Sequence, residues 1–272
     1  MSVLEAVVIG LVQGISEILP ISSTAHILLL ADLFNIPEPS IAATVFLNFG
    51  SFLAILLFFR KRWLRMAGGT LRLIWYRFGA NAWYSQDDKT QGYYVLLLVI
   101  ATVPAIVAGF FFEDIIAEML RGTLSIAGAL LAGGLLLLVA DMTERRNSIE
   151  VIDGKRSFFI GLVQALALIP GFSRSGSAIT GARLLKINRE DAATFAFLMG
   201  APVFIAAIVY QLPTLIKSGA LLNVNLWLAF IIAAASTYAA IRFVLEFVKR
   251  QSYVWFVLYR AVLGGLLVLI AV

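Results

Sequence analysis

The sequence predicts an all-α polytopic membrane protein: six transmembrane helices plus two re-entrant helical hairpins in an inverted-topology repeat. Three observations carry this. Of 272 residues, 61% are hydrophobic and 14% are charged, where a soluble domain carries roughly 25% charged. The apolar residues fall in long runs without charge, such as residues 41–59, 92–112, 123–140 and 192–216, each close to the ~20 residues a helix needs to cross a bilayer. Two further stretches are broken by proline into pieces too short to cross.

Breakers divide the chain into ten segments: Val3–Leu19, Ser22–Phe34, Ile41–Phe59, Gly92–Phe112, Thr123–Ala140, Ser157–Ile169, Ser173–Leu185, Ala192–Ile216, Leu226–Val248 and Tyr253–Val272. The second, sixth and seventh have 13 residues each, or ~20 Å of helix, short of a ~30 Å hydrocarbon core. Pro20 parts the first pair and Pro170-Gly171 the second. Such pairs read as hairpins whose tips stop at mid-depth, where free backbone groups are tolerable only inside protein or beside a watery cavity.

The two hairpins resemble each other. Gly10-Leu11-Val12-Gln13 recurs as Gly161-Leu162-Val163-Gln164 at an offset of 151. The offset then becomes 150 and pairs Pro20 with Pro170, Ser23 with Ser173, Ala43-Thr44 with Ala193-Thr194, and Gly50 with Gly200. An internal repeat follows: a single membrane domain over residues 1–272, built of halves at about 1–141 and 157–272 and joined by a basic cytoplasmic loop. Each half holds one hairpin and three crossings, and an odd number of crossings inverts the second half, which places a site near the midplane.

Charge orients the scheme. Arg60, Lys61, Arg62, Arg65, Arg72, Arg77 and Lys89 follow segment three, and Arg145, Arg146, Lys155 and Arg156 follow segment five. Arg183, Lys186 and Arg189 flank segment eight, Lys249 and Arg250 follow segment nine, and only Arg121 and Lys217 fall opposite. By the positive-inside rule both termini lie outside and the two hairpins point their tips at each other. The N-terminal segment lacks a basic region and keeps Glu5 and Glu17, so it reads as mature structure rather than a cleaved signal. With no cysteine, disulfides, zinc–thiolate sites and cysteine nucleophiles are excluded. The net charge of +5 sits on the cytoplasmic loops and implies no nucleic acid partner.

Ionisable groups at membrane depth are costly and are functional candidates. The first tip offers Gln13, Glu17, Ser22, Ser23, Thr24 and His26, and the second Ser173, Arg174, Ser175, Gly176 and Ser177. The serines also suit caps of the half-helices, and Glu17 with Arg174 suits a structural ion pair. Two helix starts rich in hydroxyls suit an anion, and the Arg174 fork suits phosphate oxygens. Ser23 offers a nucleophile, and Glu17 and His26 proton transfer. Arg242 with Glu246 one turn on, and Arg260 in the last segment, read either as a structural ion pair or as the lining of a lipid path.

The runs Gln13-Gly14-Ile15-Ser16-Glu17 with Leu19-Pro20-Ile21-Ser22-Ser23-Thr24-Ala25-His26, and Pro170-Gly171-Phe172-Ser173-Arg174-Ser175-Gly176, are similar to the two signatures of the undecaprenyl pyrophosphate phosphatases, the bacitracin-resistance type of membrane phosphatase. The resemblance covers essentially the whole chain. It implies a hydrolase that converts undecaprenyl pyrophosphate to undecaprenyl phosphate and phosphate, and recycles the lipid carrier of cell-wall synthesis. It implies a multi-pass protein of the bacterial cytoplasmic (inner) membrane with a site open to the outer face, and bacitracin acting on the substrate rather than on the protein. It marks Glu17, Ser23, His26 and Arg174 as catalytic, with Gln13, Ser22, Thr24, Ser173, Ser175 and Gly176 as phosphate-binding neighbours. Many members carry glutamate where Gln13 stands, and glutamine is a weaker cation ligand and no base. The pattern fixes no cofactor; a divalent cation (Mg or Ca) is admissible, and the residues that would hold it stay open. His26 is the only histidine, which excludes the two-histidine scheme of the phosphatidic acid phosphatases. The competing reading is a lipid-phosphate transporter or flippase, because opposed hairpins in inverted repeats are transporter architecture.

Overall fold

The computed structural model describes the chain except residues 35, 37, 78–84, 121, 144–146 and 272, and describes residues 77, 88 and 113–119 by backbone alone. Arg121, Arg145, Arg146 and Val272 thus lie outside the described residues. Among the described residues eleven α-helices follow in order: α1 Val3–Ile18, α2 Ser23–Phe34, α3 Ile41–Phe58, α4 Arg60–Arg77, α5 Gln86–Met119, α6 Thr123–Asp141, α7 Gly154–Ala165, α8 Arg174–Leu184, α9 Arg189–Lys217, α10 Val224–Arg250 and α11 Val254–Ala271. No strand occurs among the described residues, only an isolated bridge between Asn147 and Ile187.

Among the described residues six helices are long and apolar enough to cross a membrane, the spans being Ile41–Phe58, Lys89–Phe112, Thr123–Asp141, Arg189–Lys217, Val224–Arg250 and Val254–Ala271. They are the six segments read as crossings. Four shorter helices, α1, α2, α7 and α8, have 16, 12, 12 and 11 residues, and come in two pairs, each broken at its proline. Helix α1 packs on α10, and α7 packs on α5. The recurring glycine explains both crossings. A Cβ on Gly10 would fall 2.6 Å from the Ala229 carbonyl oxygen of α10, and one on Gly161 would strike the Ala101 carbonyl oxygen of α5. Helices α3 and α9 pack together, as do α6 and α11. Ile55, Leu97, Ile160, Ile179, Phe195 and Ile241 sit in the buried core that this arrangement makes.

Several sequence expectations are corrected. The loop expected over residues 60–89 is mostly helical, α4 and the start of α5, because Met66 and its neighbours bury against α5. Segment six begins earlier, at Gly154, where Asp153 caps α7 through its carboxylate and the Arg156 N–H at 2.8 Å. It also ends at Ala165, with a 3-10 turn over Leu166–Leu168. Arg183 and Arg189, counted among the cytoplasmic charges that flank segment eight, are buried. The Asp141 carboxylate of α6 accepts from Arg183 Nε at 3.2 Å, from Arg189 Nε at 2.7 Å and Nη2 at 2.6 Å, and from the Tyr253 N–H at 3.0 Å. One carboxylate thus ties α6, α8, α9 and the start of α11. Glu246 pairs with Lys249 at 3.0 Å, and Lys249 also reaches Glu190.

Candidate active site

The two breaks between short helices are built alike. Helix α1 ends at Ile18, Pro20 removes the next N–H donor, and Ser22 turns the chain with φ 71° before α2 starts at Ser23. Helix α7 gives way to the turn at Leu166–Leu168, and Ser173 turns with φ 73° before α8 starts at Arg174. A non-glycine residue held there costs of order 1–3 kcal/mol. Each serine gains a local hydrogen bond in return: Ser22 Oγ accepts from the Ala25 N–H at 3.5 Å, and Ser173 Oγ from the Gly176 N–H at 3.2 Å. By backbone conformation Ser22 therefore matches Ser173, and Ser23 matches Arg174. This corrects the pairing of Ser23 with Ser173: the second tip has one more residue after its proline. That residue belongs to a turn through Gly171, at φ 105°, where a Cβ would strike the Ile126 carbonyl.

Arg260 binds the tips together. It is fully buried, and its guanidinium donates to the carbonyls of Pro20 at 3.2 Å, Phe172 at 3.1 Å, Gly171 at 3.3 Å and Leu130 at 2.9 Å. Gly133 makes the room, since a Cβ there would overlap Arg260 Nη2 and lie 3.0 Å from the Phe172 carbonyl oxygen. Ser175 adds a direct link, its hydroxyl donating to the Leu19 carbonyl at 3.1 Å. A buried charge satisfied by carbonyls is tolerable where an unpaired one is not.

Beside these links lies a cavity of about 560 Å³, lined by Glu17, Ser22, Ser23, Thr24, Ser173 and Arg174 on its polar side. Ile41, Ile106, Phe110, Leu168, Val203 and Phe204 are among its apolar wall. Glu17 is buried and central. Its Oε1 accepts from Arg174 Nε at 3.3 Å and Nη2 at 3.2 Å; its Oε2 accepts from Ser23 Oγ at 3.0 Å and Gln13 Nε2 at 3.1 Å. Gln13 Nε2 also donates to Asn48 Oδ1. Arg174 Nη1 donates to the Ala196 carbonyl at 3.2 Å, and the guanidinium lies 4.5 Å above the Phe204 ring centre. A guanidinium carries more N–H donors than these bonds use. Gly200 of α9 makes space for it, since a Cβ there would fall 2.9 Å from Cζ.

Glu17, Ser23, Arg174 and Gln13 are thus brought together, while His26 is not placed with them. Its Nδ1 meets the Ser22 carbonyl at 2.7 Å and its Nε2 the Tyr259 hydroxyl at 2.8 Å, with the rings stacked 5.5 Å apart. Ser22, Ser23, Thr24 and Ser173 line the cavity. Ser175 and Gly176 stand behind it, with the Gly176 N–H spent on Ser173 Oγ. Sequence reasoning missed Asn48 and Gln164, which also line the cavity. The Gln164 amide oxygen is buried without a partner, like that of Gln13, and the shared Gly-Leu-Val-Gln run was the signal that could have found it. Among the described residues no three His, Cys, Asp or Glu side chains gather to hold a metal. Glu17 is, among the described residues, the only carboxylate lining the cavity, and both its oxygens are engaged, so this donor set does not fit a protein-held cation.

Fold and site together define a multi-pass membrane protein whose interior holds a hydroxyl on a carboxylate that an arginine fixes, beside an apolar cavity. The family model described as bacitracin resistance protein BacA matches residues 6–266, and the chain belongs to that family. It is similar to an undecaprenyl-diphosphatase of Chloroherpeton thalassium, 37% identical over 97% of this chain and 95% of the relative. Similar relatives of the same name occur in Gemmatimonas aurantiaca, at 36% identity over 97% and 96%, and in Desulforudis audaxviator, at 36% over 100% and 98%.

Proposed function

We propose that this protein is a membrane hydrolase that removes the terminal phosphate of undecaprenyl pyrophosphate, leaving undecaprenyl phosphate and inorganic phosphate. The observation that carries the reading is the Ser23 hydroxyl donating to Glu17 Oε2 at 3.0 Å, inside a cavity whose other wall is apolar enough for a prenyl chain. Full-length relatives named undecaprenyl-diphosphatase support it. In the proposed reaction Arg174 and the N–H groups at the start of α2 hold the pyrophosphate. Ser23 Oγ attacks the terminal phosphorus and gives its proton to Glu17, and the bond from phosphorus to the bridging oxygen breaks. The lipid leaves as its monophosphate. Glu17 passes its proton to the departing lipid monophosphate. Water then attacks the serine phosphate and gives one proton to Glu17 that passes on to Ser23 Oγ as the phosphorus–Oγ bond breaks, and phosphate departs with Ser23 restored. Glu17 suits the base role better than His26, whose two nitrogens are engaged by Ser22 and Tyr259. The decisive test is phosphate release from a prenyl pyrophosphate by purified protein in detergent, where no second compartment exists; a transporter releases none.

Arg174→Lys keeps the charge and loses the planar fork. Its expected effect is a loss of about tenfold or more in turnover, the scale of one charged hydrogen bond, in a protein that still folds. Near-normal turnover of this variant in the same assay would leave Arg174 only a counter-ion of Glu17.

The membrane arrangement proposed is two re-entrant hairpins, α1–α2 and α7–α8, in an inverted repeat, with the site open to the outer face of the bacterial cytoplasmic membrane. The matched contacts of Gly10 and Gly161 and the matched φ of Ser22 and Ser173 support the repeat. Because the chain has no cysteine, a single cysteine at Ser2 or Lys89 reports its side uniquely. An impermeant thiol reagent applied to intact cells is expected to label the first and spare the second. The reverse pattern would invert the orientation and keep the fold.

A further inference from the structure

Helix α4 has a use that the hydrolase reading leaves unexplained. Its inner face packs on α5: Met66 is fully buried, Arg62 lies 4.8 Å over the Tyr94 ring centre, and Leu73 lies against Gly92. At about 100° per residue, the rest of its surface splits into two stripes. Leu64, Leu71, Ile74 and Trp75 form one, 73%, 58%, 45% and 64% exposed. Lys61 and Arg65 form the other, both exposed, with Arg72 on the same side. Residues 60–77 contain no aspartate or glutamate.

The level of the helix adds the second observation. The residues of α5 that it touches, Gly92 and Tyr94, stand at the start of the span Lys89–Phe112, and the preceding span ends at Phe58. Helix α4 therefore lies where two spans leave the hydrocarbon, with an exposed apolar stripe bordered by the exposed pair Lys61 and Arg65. That is the chemistry of a helix lying in the interface of a bilayer with anionic headgroups. A second copy fits less well, because the basic stripe would face its own charge.

We propose that α4 docks on the membrane surface as an anionic-lipid anchor. Leu64, Leu71, Ile74 and Trp75 sink between acyl chains, and Lys61 and Arg65 meet phospholipid phosphates. The test uses the full chain in nanodiscs of phosphatidylcholine, alone or with phosphatidylglycerol, carrying one nitroxide on Leu71→Cys or on Arg65→Cys. Oxygen is expected to relax the first label, a water-soluble nickel reagent the second, and the Leu71 label to lie deeper with phosphatidylglycerol present. The pair Lys61→Gln and Arg65→Gln is expected to weaken the preference for phosphatidylglycerol about thirtyfold, at ~1 kcal/mol per charge, with phosphate release in detergent unchanged. Three results would each overturn the proposal: a Leu71 label open to the nickel reagent in both lipids, spin–spin broadening between copies, or an undiminished preference in the double variant.

Discussion

Alanine in place of Ser23 is expected to abolish phosphate release while the protein still binds the lipid pyrophosphate. The Ser23 hydroxyl is the group in the cavity that meets the buried carboxylate at 3.0 Å, so its loss removes the nucleophile of the proposed reaction. One hydrogen bond left unmade costs ~1–3 kcal/mol, which slows a reaction roughly ten- to a hundredfold; a missing nucleophile should cost far more. Ser173→Ala is the control. Its hydroxyl caps α8 at 3.2 Å from the Gly176 N–H and meets Ser175 at 3.3 Å, so this change is expected mainly to weaken binding. Turnover and lipid binding measured on both variants separate the roles. A Ser23→Ala enzyme slowed only about a hundredfold would make Ser23 a phosphate ligand and water the attacking group.

The largest effect on stability is expected at Asp141. Asp141→Ala leaves Arg183 and Arg189 facing each other in the interior with no carboxylate between them. Breaking a buried pair costs ~3–5 kcal/mol, and here one residue serves two cations and the Tyr253 N–H. Against a total stability of roughly 5–15 kcal/mol for a folded domain, the variant should fail to accumulate or should melt far below the parent in detergent. Asp153→Ala removes an exposed pair with Arg156, side chains 53% and 45% exposed, and should leave melting close to that of the parent, because a solvent-screened pair and one helix cap contribute little. Equal melting of the two variants would show that the Asp141 network does not hold the helices together.

Six crossings and two proline breaks were legible because hydrocarbon imposes length and apolarity on every span. The Glu17–Arg174 meeting was legible for the same reason, since such groups at depth need each other. Arg183, Arg189 and Arg260 were not. A sequence shows that an arginine is near a helix end, yet not which carboxylate or carbonyl turns toward it. The partners of Arg260 are backbone oxygens from three separate stretches, which no side-chain pattern announces. The space for Arg174 and Arg260 comes from Gly200 and Gly133, and a glycine among many in an apolar run carries no mark of what it makes room for. His26 entered the expected chemistry as the one imidazole at the first tip and through the motif resemblance. Its ring nitrogens meet the Ser22 carbonyl and the Tyr259 hydroxyl of α11, contacts that the spacing from Ser23 does not announce.

The Arg260 clamp also has a meaning in time. The two tips are synthesised first, and the residue that fastens them follows Phe172 by 88 positions. At roughly 5–20 residues per second, the hairpins wait about four to eighteen seconds before α11 arrives. During that interval the carbonyls of Pro20, Gly171 and Phe172 lack this guanidinium, and the Ser175–Leu19 bond and the Arg174–Glu17 pair must join the two tips without it. Assembly of the polar centre is therefore a late event, triggered by insertion of the final helix. A chain stalled after α10 would carry all the residues of the cavity and still lack the fastener that sets them in place.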